Sequence, residues 1–130
     1  MARNERGSAT LELALVLPLA LLMALALVQV GLLSRDAAVV ALAAREGSRE
    51  AAVTTDDESV REAALRSGTL RDERTDVSVE RSGSVGDPVT VWVRYRAPIV
   101  VPFLAWLFPH EVELAAQATM RQEASGEQFP

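Results

Sequence analysis

The sequence predicts an α+β protein: a long N-terminal membrane-spanning helix with a small antiparallel three-stranded sheet packed on its distal half. Three observations predict it. Leu13–Ser34 is a run of 22 residues without a charge. Apolar residues then recur at helical spacing in two further stretches. Finally, three later stretches alternate apolar and polar residues with a period of two.

The uncharged run comes first. As a helix it measures about 33 Å, the thickness of a bilayer's hydrocarbon core. Gln29 and Ser34 are its only strongly polar side chains. Pro18 lies inside it and removes one backbone donor, so a kink near Ala14–Pro18 is expected. Ala20 and Ala24 form a small-xxx-small pair and Gly31 adds a third small site. These are candidate helix-packing positions, although an Ala/Leu-rich run also produces such pairs by chance. Charge counting does not orient the span: Arg3, Arg6 and the terminal amine on one side face Arg35, Arg45 and Arg49 on the other. Ala24-Leu25-Ala26 has the form of a secretory cleavage site, but apolar residues continue to Leu33, unlike a short h-region.

The segment AAVVALAAREG after Asp36 keeps helical character, with Val39, Leu42 and Ala43 as an apolar stripe. One helix is therefore expected to continue from the span to about Gly47 or slightly beyond, where the glycine favours a stop. A second helix opens at Thr55-Asp56-Asp57-Glu58, with Thr55 and Glu58 as a capping box. Val60, Ala63, Ala64 and Leu65 give its apolar face, and Gly68 is placed to end it. From Asp76 the period changes. Val77 and Val79 form one strand, Gly83 to Pro88 a turn, and Val89, Val91, Val93 and Tyr95 a second strand with its valine face toward the helix. Trp92, Arg94 and Arg96 face the other way. Val112, Leu114, Ala116, Ala118 and Met120 mark the third strand. Between the last two lies Ile99–Phe108, apolar and too short to span a membrane. It either closes the core or docks on a membrane or neighbour through Phe103, Trp106 and Phe108. Trp92, Phe103 and Trp106 are the candidate partner surface.

Composition narrows the function. The chain has 130 residues, room for one domain and an anchor. Its net charge of −5 gives no footing for nucleic acid. It has no cysteine, which excludes disulfides and thiolate chemistry. His110 is the only histidine and has no nucleophile or acid motif beside it. No phosphate-binding glycine loop is present, and Asp56, Asp57 and Glu58 lack the spacing of a calcium loop. No enzyme activity, cofactor or metal is expected.

One feature needs a further explanation. Glu12 stands at the mouth of the uncharged run, five residues beyond Gly7 and behind a basic leader. Charged side chains at a membrane edge are rare. An acid there can snorkel to water or sit in the first helical turn favoured by the dipole. It can also serve a partner. The order Arg6-Gly7, Ser8-Ala9-Thr10-Leu11, Glu12 resembles a class III prepilin signal. Over more of its length the chain resembles the TadE-like minor pilins (pseudopilins) of tight-adherence, Flp-type, type IV pilus systems. The supporting stretches are RGSATLELALVLPLALL at 6–22, RDAAVVALAAREGSREAA at 35–52, VTVWVRYRAPIVVPFLAWLF at 89–108 and ATMRQE at 118–123. Members usually place an aromatic after the glutamate, where this chain has Leu13.

The resemblance implies a pilin-like plan: a prepilin leader at 1–7, a transmembrane and assembly helix at 8–34, the distal half of that helix at 35–53, a small extracytoplasmic head at 54–123 and a flexible tail at 124–130. It implies cleavage between Gly7 and Ser8 by a prepilin peptidase, with Arg6 and Glu12 as processing and assembly signals. The new amine of Ser8 would lie one helical turn from Glu12, about 6 Å away, where the two can offset each other. The implied partners are the prepilin peptidase, other pilins and pseudopilins, the inner-membrane assembly machinery and membrane lipid. The implied place is the bacterial cytoplasmic membrane, single-pass, with the N-terminus cytoplasmic and the head outside, or in a pilus at the cell surface. The alternative is a signal-anchored envelope or adhesin-type binding module unrelated to pili.

Overall fold

The computed structural model describes residues 2–68, 70–101, 103, 105–106 and 110–123, with side chains from Glu5 onward. Phe108 and the 124–130 tail lie outside the described residues. The element order is α1 (Ala2–Val53), α2 (Asp57–Arg66), a short 3-10 turn (Asp72–Arg74), β1 (Thr75–Arg81), β2 (Pro88–Pro98) and β3 (Glu111–Arg121). The α+β arrangement of a long apolar N-terminal helix and a three-stranded antiparallel sheet is the one the sequence predicts.

Helix α1 has 52 residues and runs unbroken through Pro18, about 78 Å at the usual rise. It does not stop at Gly47 but continues to Val53. The reason is tertiary. A Cβ on Gly47 would stand 3.1 Å from Val91 Cγ1 and 3.3 Å from Ala64 Cβ. The glycine lets α1, α2 and the sheet approach one another, and that burial outweighs its poor helix propensity of about 1 kcal/mol. The helix is closed at its end by Thr54 N–H donating to the Glu50 carbonyl, and Glu123 N–H donates to the Ala52 carbonyl at 2.8 Å. The chain beyond β3 thus satisfies one of the free carbonyls that every helix end carries.

The cap of α2 is Asp56, not Thr55. Its carboxylate accepts from the backbone N–H groups of Glu58 and Ser59 and from the Ser59 hydroxyl at 2.6 Å. Two adjacent capping residues compete here, and the carboxylate wins because it accepts three hydrogen bonds. Those bonds, the Ser59 hydroxyl foremost and the Glu58 N–H next, lower the Asp56 pKa. Nor does Gly68 end α2 through a left-handed cap. The helix ends at Arg66 with Ser67 as a right-handed C-cap, and the described positive-φ residues are Gly83 and Gly86. Gly68 is needed for closeness instead, since a Cβ there would run into Val39 Cγ1 of α1. Val60 and Ala64 are the buried residues of α2, with Ala63 and Leu65 half-buried.

The strands form an antiparallel meander in the order β1-β2-β3. Val79 pairs with Val91 and Val91 with Ala118, while Val77, Val93 and Ala116 make the next row. The alternation does what the sequence predicts: Val89, Val91, Val93, Tyr95 and Ala97 are buried, and Arg94 and Arg96 are exposed. The core is this inner face of β2 against Val40, Ala43, Ala44, Ala51 and Ala52 of α1 and Val60 and Ala64 of α2. On the far face the Thr90 and Thr119 hydroxyls bond across the strands at 2.8 Å. Side-chain ties close the periphery: Arg81 with Asp57, Arg61 with Asp72, and Arg74 with Glu111 at 3.3 Å.

Candidate functional site

Two places on α1 set out the functional chemistry: the charged entry to the span, and the level at which the head first touches the helix. Arg6, Gly7, Ser8 and Glu12 occupy the first turns and are all exposed. The Thr10 hydroxyl donates to the Arg6 carbonyl at 2.9 Å, one turn back. Nothing lies within 4 Å of a Cβ built on Gly7. The Gly7–Ser8 bond and the Glu12 carboxylate therefore meet no other part of the chain. Ser8 and Glu12 are one turn apart on neighbouring positions of one helix face.

From Glu5 to Ala24 every residue is exposed, including Leu15, Leu19, Leu21 and Met23. The stretch Glu5–Val53 is long and apolar enough to cross a membrane, and only 6% of its most apolar 18 residues is buried. A soluble protein's core helix of the same composition is mostly buried, so this surface is apolar without a protein partner in the monomer. Ala20, Ala24 and Gly31 are exposed. At about 100° per residue they fall within about 40° of one another, roughly opposite Gln29.

Gln29 marks the change. It is buried, and its Oε1 accepts from Val100 N–H at 2.9 Å and from Val101 N–H at 3.3 Å. Its Nε2 is buried with no hydrogen-bond partner among the described residues. The β2–β3 connection is thereby fastened to the helix 71 residues away in sequence. Its base is closed by Ile99 N–H donating to the His110 carbonyl at 3.3 Å. The sequence offered Gln29 only as a polar side chain in an apolar run. Its partners are backbone groups, which no side-chain pattern announces.

The apolar connection does less core closure than its composition suggests. Val101 is buried and Ile99 half-buried, while Val100, Phe103 and Trp106 are 61%, 64% and 81% exposed. Trp92 sits on a different element, mid-β2, paired with Ser78 and Gln117 and half-buried. Among the described residues no group of His, Asp and Glu could hold a metal ion, and the Asp56 carboxylate is occupied as a cap.

Comparison with known families gives one result. Residues 7–49 match the family model described as TadE-like protein, a third of the chain beginning at Gly7 and taking in Glu12 and the whole uncharged run. No curated protein and no solved structure matches the chain. Over this stretch the chain is similar to TadE-like proteins, the resemblance its residues suggested.

Proposed function

We propose that this chain is a minor pilin, or pseudopilin, of a tight-adherence type IV pilus, made as a prepilin and cut between Gly7 and Ser8. One observation carries the reading: Gly7, Ser8 and Glu12 stand uncovered in front of a bare, charge-free helix, within the TadE-like match. In this reading α1 holds the protein in the cytoplasmic membrane with its N-terminus inside and the head outside. Cutting requires the first turns to unwind, and Gly7, the weakest helical residue there, lowers that cost by about 1 kcal/mol relative to alanine. The Ser8 amine released by the cut lies one turn from Glu12. In low dielectric an unpaired carboxylate is costly, so the pair disfavours registers that leave Glu12 alone. Glu12 then sets docking among neighbouring subunits, and the bare stripe of Ala20, Ala24 and Gly31, facing away from the head, is where another helix can come close. The protein acts through assembly and needs no cofactor.

The test is the intact mass of the protein extracted from membranes of a host with an active prepilin peptidase. A mature N-terminus at Ser8 is expected, and retention of residues 1–7 sinks the proposal. Gly7→Arg is expected to block processing. Glu12→Ala is expected to leave it largely intact and to impair piliation; normal piliation by that strain removes Glu12 from the mechanism.

A further inference from the structure

The uncharged run is longer than its bare part. Residues 13–24 are exposed on every side, a length of about 18 Å. From Leu25 on, covered positions recur at Leu25, Ala26, Gln29, Leu32 and Leu33. A bilayer's hydrocarbon core is about 30 Å thick. The missing length of about 12 Å has two possible sources. Drawing the N-terminal turns inward would bury Glu12 together with Glu5 and Arg6 before the cut, or with the Ser8 amine after it; Glu5, Arg6 and Glu12 are exposed and carry no ion pair among the described residues. Each such charge costs a few kcal/mol or more at membrane depth. Sinking the helix to Leu33 buries no charge at all.

Sinking it that far takes the β2–β3 connection with it, because Gln29 holds the connection at that level. The connection suits such a place. No charged residue occurs from Ala97 to Pro109. Among its described residues, Val100, Phe103 and Trp106 are exposed. Irregular backbone at membrane depth needs protein, not lipid, against its polar groups, and at Val100 and Val101 the Gln29 Oε1 of α1 supplies it by accepting both N–H groups. The charges resume at the base of the connection, where Arg96 donates to the Glu73 carbonyl and Arg74 pairs with Glu111. An exposed tryptophan in an apolar connection whose base carries charged groups suits a membrane interface.

We propose that the described residues of the β2–β3 connection form a membrane foot: lipid of the outer leaflet covers Val100, Phe103 and Trp106 beside α1, and Gln29 sets their depth. The proposal rests on the anchored orientation proposed above. The bare helix continuous with the foot argues for lipid rather than a second subunit as its cover.

The full chain carrying Trp92→Phe, which leaves Trp106 as its only tryptophan, is reconstituted in phosphatidylcholine vesicles. The lipids carry bromine either near the glycerol end or near the methyl end of the acyl chains. A second chain, Leu21→Trp with Trp92→Phe and Trp106→Phe, reports the anchor in the same vesicles. Trp106 is expected to lose most emission to the shallow bromine, and the tryptophan at 21 to the deep one. If the probe at 21 is quenched and Trp106 keeps its emission with both lipids, the foot is overturned and the anchor stands. If neither is quenched, the anchor reading fails and the foot with it. Trp106 quenching that disappears as the protein-to-lipid ratio rises, while the probe at 21 stays quenched, assigns the segment to a neighbouring subunit and overturns lipid as its cover.

Discussion

The inner and outer halves of α1 are one continuous helix with opposite surroundings. From Glu5 to Ala24 nothing covers it. From Leu25 to Ala52 covered residues return every three or four positions, ending in Ala43, Ala44, Gly47, Ser48, Ala51 and Ala52. The glycines report the contrast directly. Gly7 in the inner half and Gly31 on the bare face of the outer half have open space where a Cβ would be, whereas Gly47 on the covered face stands against Val91 and Ala64, and Gly68, beyond α2, stands against Val39 of α1. The inner half uses large leucines because its surface has no shape to match. The outer half uses alanine, serine and glycine because a sheet and a second helix must come close to it. Hydrophobicity selects the surroundings of both halves, and side-chain size selects which half carries the head.

The sharpest way to break this comparison is one substitution on the covered face of α1 and one on its bare face. Gly47→Val inserts three carbons between α1, α2 and β2 and is expected to cost about 1–3 kcal/mol. For a head of this size each kcal/mol lowers the thermal midpoint by about 4–8 °C. Gly31→Val meets nothing and is expected to leave the head's midpoint in place. Thermal unfolding of the full chain in detergent, followed by the sheet's circular dichroism, reads both. Equal shifts would show that the covered face is no more tightly packed than the bare one.

A smaller effect is expected at the boundary. Gln29→Leu removes the acceptor of two amides, and leaving buried donors unpaired costs about 1–3 kcal/mol. The same change also deletes the unpartnered Nε2, which offsets part of that cost. The expected result is faster hydrogen exchange at Val100 and Val101 with little change at Val91 and Val93. Exchange unchanged at all four would mean that the amides find another acceptor and that Gln29 does not hold the connection.

What was legible in the sequence follows the same division. The uncharged run, the Gly7-to-Glu12 spacing and the valine face of β2 are periodic or local features, and the structure shows the run as one apolar helix and the valine face as read. The errors are at residues whose role depends on distant neighbours. Gly47 looks like a helix stop because local propensity is all that sequence displays, and Gly68, which does stand just past the end of α2, shows nothing of what it packs against. Their roles in the fold are close approaches to Val91 and Val39. Thr55 satisfies the capping-box spacing, but Asp56 displaces it because Ser59 supplies a hydroxyl as well as an N–H. Gln29 was visible as a polar residue in an apolar run, while the amides it holds are 71 and 72 residues downstream. No periodicity links them.

The smallest expected effect concerns that cap and separates the head from the anchor by pH. The folded Asp56 pKa is lowered, by the Ser59 hydroxyl first and the Glu58 N–H second. A group with a lowered folded pKa contributes its full stability above its unfolded value and loses it as pH falls through the folded value. The first turn of α2 is therefore expected to fray on acidification below the ordinary carboxylate range. Asp56→Asn keeps one of the two oxygens that accept from the Glu58 and Ser59 N–H groups and is itself a good cap, but it does not titrate. Its α2 is expected to keep its amide shifts at Glu58 and Ser59 over the pH range in which the native chain changes. If the variant changes at the same pH as the native chain, the acid sensitivity belongs to another carboxylate. The exposed Arg81–Asp57 pair, which ties the same helix end to β1, is then the next group to test.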